Sequence, residues 1–377
     1  MRRISANYIL PVTSQPIKNG ILELDENGCI HQIIDPGKNF NEISRLEFYN
    51  GILIPGFVNT YSHLEMCLLD QEFTPGMRSA QIKNLIMNRQ AHKSTGRMVK
   101  AIEEISQLIE KEGTVAVGDH CLSNISFSAK KNSSVYYYTF IEVPEGEGKQ
   151  KESHLHESIM MYQQLFSKYS QEGNLTPLSF YSSDNKYFDE IINSNPASAV
   201  YSVFYPVSRG EDKGSTKFKD LPDKRNYSLI DYMLPSQKLQ IITECFNDSE
   251  NFKIIDKERV HLFYTICPNA IKSGGKACPD INFLMNHRHS FTLGTGHNAF
   301  NRKLSILEEM KSMQFLIQSP VFNYLLAGAT INGAALLGLD HSLGSLETGK
   351  SPGVNLIQPF DFSAWRLKEN SSVIKLV

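Results

Sequence analysis

A small set of side chains could do chemistry. His63 and Glu65 stand two apart, Asp119 and His120 are adjacent, and Glu142, Glu244 and His297 lie further along. Neutral imidazole and carboxylate are the usual donors to a divalent cation, and such an ion turns bound water into hydroxide near neutral pH. One imidazole cannot hold zinc alone, so His63 needs partners. Glu244, just after an apolar run, could serve as a base or a ligand, and burial would raise its pKa. With His63 and His297 it could form a carboxylate–histidine site. His120 is expected in a loop, and Glu65 and Glu142 are expected to orient loops through hydrogen bonds. His287-Arg288-His289 reads as a solvated helix end. The six cysteines, Cys29, Cys67, Cys121, Cys245, Cys267 and Cys278, form no C-x-x-C pair. They are expected as reduced, mostly buried thiols without a nucleophilic role.

These side chains need elements to position them. Apolar runs near Leu53–Asn59, Thr114–Asp119, Val135–Val143, Thr176–Tyr181, Ala199–Phe204, Leu239–Glu244, Val260–Ile266 and Ser290–Thr295 read as strands covered on both faces. The run Tyr136-Tyr137-Tyr138 belongs to that pattern as core. Ile102, Ile105, Leu108 and Ile109 share one face of a helix over Ala101–Glu112, and another helix is expected from Arg302. Strand and helix alternating in this way predict an α/β chain with a (β/α)8 TIM-like barrel, whose chemistry sits at the C-terminal strand ends. Short β segments at both termini, with the turn Asp25-Glu26-Asn27-Gly28, predict a small β-sandwich domain. Its expected extent is 1–50 plus 345–377, with the barrel over 51–344.

The segment Ile54-Pro55-Gly56-Phe57-Val58-Asn59-Thr60-Tyr61-Ser62-His63-Leu64-Glu65 resembles the amidohydrolase superfamily, whose first strand reads P-G-F-V-N-x-H-x-H-L-E. Val115–Asp119, Thr139–Val143, Cys267–Ala270, Leu293-Gly294-Thr295 with Leu304–Met310, Ile331–Ala334 and Gly344–Lys350 resemble later landmarks in order. The nearest branch looks like the deaminases of aminofutalosine, S-adenosylhomocysteine and related nucleosides. Against that pattern the expected metal and catalytic positions are replaced: Tyr61 for the first histidine, Phe204 for the fifth-strand histidine, Val207 for its glutamate, Glu244 for the sixth-strand histidine, and Gly296 for the last aspartate. Leu178 takes the place of a substrate-binding histidine.

From those replacements the sequence predicts a catalytically degenerate, metal-free homologue with no intact catalytic group. Glu244 and Asp119 are the residual candidates. Tyr61, His63, Glu65, Glu142 and Phe204 are the candidate lining for a small polar or nucleoside-like ligand. The alternative is a divergent hydrolase of C–N bonds, deaminase-like, with a rebuilt site and a divalent metal such as zinc at His63, Glu244 and His297. The resemblance also implies a homodimer. The net charge of -2 gives no basic footprint for nucleic acid, and no apolar run is long enough to span a bilayer. Asn7, Pro11 and Ser14 break any signal-like stretch, so a cytoplasmic protein is expected.

Overall fold

The computed structural model describes residues 1–37, 44–66, 95–144, 149–178, 181–182, 184–204, 227–235, 237–243, 261–273, 290–296, 301, 303–317 and 321–377. The chain opens with β1 (Arg2–Ile9), β2 (Ile17–Lys18), β3 (Ile21–Leu24), β4 (Ile30–Ile34) and β5 (Leu46–Pro55). It closes with β16 (Val354–Asp361) and β17 (Arg366–Lys375). These strands form one seven-stranded sheet in the order β17-β16-β5-β1-β3-β4, with β2 on β1. Antiparallel pairing of β16 with β5 ties the two termini together. The turn between β3 and β4 is closed by Asp25, whose carboxylate accepts the N–H groups of Asn27 and Cys29. Ile4, Ala6, Ile9, Leu22, Leu24, Leu53 and Leu356 bury one face of this sheet.

Between these strands the fold is α/β. Strands β6 (Phe57–Ser62), β7 (Thr114–Cys121), β8 (Tyr136–Val143) and β9 (Glu172–Pro177) make one four-stranded parallel sheet. After the two-residue β10 (Tyr181–Ser182) come β11 (Val200–Phe204), β12 (Tyr227–Ser228), β13 (Lys238–Thr243), β14 (His261–Ile266) and β15 (Phe291–Leu293). Strands β11, β13, β14 and β15 make a second parallel sheet, while β10 pairs with β12. The intervening helices are α1 (Thr95–Lys111), α2 (Phe127–Lys131), α3 (Lys149–Ser167), α4 (Asn185–Asn193), α5 (Pro268–Ser273), α6 (Ile306–Ile317), α7 (Phe322–Ala329) and α8 (Ile331–Leu337).

The two parallel sheets meet along both outer edges. On one side Ser62 bridges Gly296 in parallel, and Thr60 Oγ1 donates to Leu293 O at 3.0 Å. On the other side, Thr176 Oγ1 donates to Ser202 O and accepts from Ser202 N, both at 3.0 Å. Inside, Thr60, Thr265, Thr292 and Gln240 link their side chains in a buried layer of hydrogen bonds. Helices on the outer faces leave β7 and β8 almost wholly buried, which explains their near-continuous apolar runs.

Several boundaries differ from the sequence expectation, and the expected strand Leu53–Asn59 is divided between the end of β5 and the start of β6. β9 starts at Glu172 and ends at Pro177, ahead of the predicted Thr176–Tyr181. α6 starts at Ile306 rather than Arg302, because Asn301 takes up the chain before it: its Oδ1 accepts Ser305 N–H and its Nδ2 donates to Ser305 O. β7 runs on to Cys121, two residues past the expected end, and that extension decides where His120 lies. Among the described residues no helix is long and apolar enough to cross a membrane.

Candidate metal centre

His63 follows β6 directly, and four bonds hold it there. Its own N–H donates to Gly296 O at 3.0 Å. The preceding Tyr61 carbonyl accepts Thr295 N–H and Gly296 N–H at 3.0 and 2.9 Å. The following Leu64 N–H donates to Asp119 Oδ1 at 2.8 Å. Gly294 permits the close approach of β15 to this segment, since a Cβ there would stand 2.6 Å from that of Tyr61. Gly296 has a φ of +64°, the left-handed region, yet an added Cβ would meet Tyr61 and Cys267 only at 3.6 and 3.8 Å.

Tyr61 is buried, and its hydroxyl lies 2.9 Å from His63 Nε2. Its ring meets the His63 and His120 rings edge-on, with centroids 5.1 and 5.0 Å away. Burial, then the nearby Cys267 and Glu142 charges, push the phenol well above its ordinary range. It therefore remains a neutral hydroxyl.

His120 is a strand residue, fully buried on β7, which corrects the loop expected for it. Its Nδ1 lies 3.1 Å from Glu142 Oε1 and its Nε2 lies 2.9 Å from Ser202 Oγ. A carboxylate only accepts, so Nδ1 carries the proton and Nε2 presents its lone pair when the ring is neutral. Glu142, on β8, thus orients a histidine rather than a loop, a second correction.

One donor atom each from His63, His120 and Glu142 lies within 4.8 Å of the others. All three side chains are buried. Zinc with two histidines and a glutamate is an established catalytic donor set, and the chemistry of these residues fits a divalent cation. The metal-free expectation is therefore overturned. It rested on losses at the resembled positions. The donors instead come from two neighbouring strand ends, beside the one histidine that is retained.

Of the other expected residues, Glu65 behaves as predicted. It is buried and accepts Leu122 N–H and Ser123 Oγ–H, both at 2.8 Å. Burial pushes its carboxyl up to about 7 against those two bonds. Asp119 is structural, paired with Lys130 at 2.6 Å with both side chains fully buried. Leu178 lies beyond β9 and donates its backbone N–H to Val143 O. Phe204 ends β11, its backbone in register with Ile242; its side chain lies outside the described residues. Val207, Glu244, Cys67, Cys245, Cys278, His297 and the run His287-Arg288-His289 also lie outside them. Cys121 and Cys267 are buried free thiols pushed up by burial, unsuited to nucleophilic attack.

A second buried carboxyl supports the surroundings. Glu309 on α6 accepts Asn269 N, Asn269 Nδ2 and Asn301 Nδ2, each at 2.8 Å. Asn269 Oδ1 in turn accepts from Ser312 Oγ. The network fixes the start of α5, and with it Cys267, which packs on Tyr61.

Comparison with known proteins adds to this geometry. The Amidohydrolase family model matches residues 211–375. A 5'-deoxyadenosine deaminase of Methanobrevibacter smithii is 22% identical over 81% of this chain and 72% of its own length. The Helicobacter pylori aminofutalosine deaminase in complex with methylthio-coformycin superposes with a TM-score of 0.73 at 19% identity, covering 96% of this chain and 93% of that one. An adenosine deaminase from Xanthomonas campestris with bound zinc gives 0.70 at 14% identity, covering 94% and 84%. The expectation of a catalytically degenerate homologue does not survive these findings together with the donor cluster.

Proposed function

We propose that this chain, a member of the amidohydrolase superfamily, is a divalent-metal-dependent hydrolase of C–N bonds with a rearranged donor set, acting as a deaminase on a small nucleoside-like substrate. The observation that carries the reading is the buried trio His63, His120 and Glu142 at the ends of three consecutive parallel strands. The deaminase relatives give the reaction class. On this reading the two parallel sheets are the halves of one (β/α)8 barrel. Residues 56–344 form it, and residues 1–55 with 345–377 form the small β domain, five residues past the expected boundary because β5 stays in the terminal sheet to Pro55.

The roles follow from the contacts. His63 and His120 offer ring nitrogens and Glu142 a carboxylate oxygen. A bound zinc would supply Lewis acidity and lower the pKa of a water held there. The His120 nitrogen that faces Glu142 is Nδ1, so an ion held by both residues would replace the proton between them, and the ring would then donate its Nε2–H to Ser202 Oγ. The Tyr61 hydroxyl, held neutral by burial, remains a hydrogen-bond donor beside His63. The sequence alone nominates Glu244, the residue after β13, as the carboxylate for proton transfer.

The test is metal content and ammonia release by the purified protein. The substrates are adenosine, 5'-deoxyadenosine, methylthioadenosine and S-adenosylhomocysteine, with and without chelator. The expected result is about one equivalent of zinc per chain and chelator-sensitive ammonia release. Both should be lost in His120→Ala. Zinc uptake equal in wild type, His63→Ala and His120→Ala, with no ammonia from any substrate, would end this reading.

A further inference from the structure

Lys130 and Asp119 form an ion pair in the interior of the described structure. Their nitrogen and oxygen are 2.6 Å apart, and both side chains are fully buried. Lys130 Nζ also donates to Thr139 Oγ1 at 3.0 Å. The Phe127 and Tyr137 rings enclose it, with centroids at 5.6 and 5.9 Å. Taking two charges out of water costs several kcal/mol each, and a well-packed apolar pair would often be as stable. Plain stability is thus a poor account of this pair, and its connections suggest another.

Asp119 precedes His120 on β7. Its second oxygen accepts the N–H of Leu64, the residue after His63. The strand between needs that anchor. In β6, Asn59 pairs with Val117 and Ser62 with Asp119, so three steps of β6 run against two of β7. The irregularity falls at Thr60 and Tyr61, immediately before His63. A bulge of this kind re-aims the side chains that follow it. Past it the chain is held by Gly296 on one side, and on the β7 side the Asp119–Leu64 bond is the anchor that follows the Ser62–Asp119 pairing. Lys130 holds the carboxylate in the one orientation that reaches Leu64, and it cancels the charge that Asp119 would otherwise add beside Glu142.

We infer that Lys130 and Asp119 are positioning residues that set the separation of His63 and His120 across the bulge; the inference rests on reading those two histidines as metal ligands. Neither residue belongs to the donor trio His63, His120 and Glu142. Lys130 sits on α2, the helix that follows β7, ten residues after His120.

The test uses two full-length variants. Lys130→Arg keeps the ion pair. Asp119→Leu combined with Lys130→Met removes both charges and the acceptor for Leu64, leaving no unpaired buried charge to prevent folding. Two quantities are read: the imidazole 1H–15N signals of His63 and His120 without metal, and zinc affinity by chelator competition. The double variant should shift both histidines' signals and bind zinc roughly 10- to 100-fold more weakly, the range for loss of a group that orients a ligand. Lys130→Arg should keep both quantities close to wild type. A folded double variant with unmoved histidine signals would overturn the inference. So would loss of its fold, which would make the pair a folding determinant. If the wild type binds no zinc, the metal reading fails, while the metal-free histidine signals still decide whether the pair positions them.

Discussion

Glu309→Gln should change the pH dependence of stability in a defined direction. Burial raises the Glu309 carboxyl from its ordinary 4.5 to about 7, although the N–H groups of Asn269 and the Nδ2 group of Asn301 pull it down. A carboxyl that holds its proton more tightly in the folded chain favours folding while protonated. That contribution is complete below about 4.5 and is withdrawn as pH rises through about 7. At about 1.4 kcal/mol for each pH unit between those values, the loss is ~3 kcal/mol. Gln cannot ionise, so the variant should lack this part of the slope. Its amide also turns one N–H toward a donor, which adds a constant offset but no slope of its own. Urea melts from pH 4.5 to 8 measure the difference. Glu65 slopes the same way in both proteins and drops out of the comparison. Parallel stability curves for wild type and variant would refute the argument, because they would mean that Glu309 ionises in the native state as it does in the unfolded chain.

Three further outcomes are expected. Gly294→Ala should cost about 3 kcal/mol through collision with Tyr61, and Gly296→Ala about 1 kcal/mol through its left-handed backbone alone; denaturant melts giving the reverse order would contradict the contacts assigned to them. Zinc at about 100 times its Kd should stabilise the wild type by about 2.7 kcal/mol, and the same addition should leave the melting temperature of His120→Ala unchanged. Asn59→Ala should cost ~1–2 kcal/mol, because it removes the acceptor that Asn59 Oδ1 offers to Tyr61 N–H and Thr295 N–H and the donor that Nδ2 offers to Thr295 Oγ1, while Thr295 N–H keeps the Tyr61 carbonyl; a loss under 0.5 kcal/mol in urea melts would show that the backbone relaxes around the change.

Much of the architecture was legible because it is periodic. Strand runs such as Val135–Val143 are apolar on both faces, and α1 repeats its apolar residues at helical spacing, so both announce themselves locally. The donor set does not. His120 was misplaced by a two-residue error in where β7 ends, and strand ends carry the weakest local signal. Glu142 was visible as a carboxylate at a strand end, but its contact with His120 comes from the side-by-side pairing of β7 and β8, with Ile141 opposite Cys121. Counting vacated positions along a resembled pattern records what has gone. It is blind to a donor that has arrived one strand away. Lys130 left no trace, since a lysine near a helix end reads as solvated, and only the packing of α2 onto β7 and β8 reveals its burial.

The distribution of the three donors has a consequence for how the molecule tolerates change. His63, His120 and Glu142 all belong to the β6–β9 half, while the second sheet reaches them through Ser202 and through the main chain of Thr295 and Gly296. A backbone contact is indifferent to the side chain that accompanies it. Exchanges along β13 and β14, other than at Gln240 and Thr265, whose side chains bond to Thr60, can therefore accumulate, altering what the far wall offers a ligand while the three donors keep their places. The two halves are separable substrates for variation, and a library that randomises the far half would sample new specificities on a fixed centre.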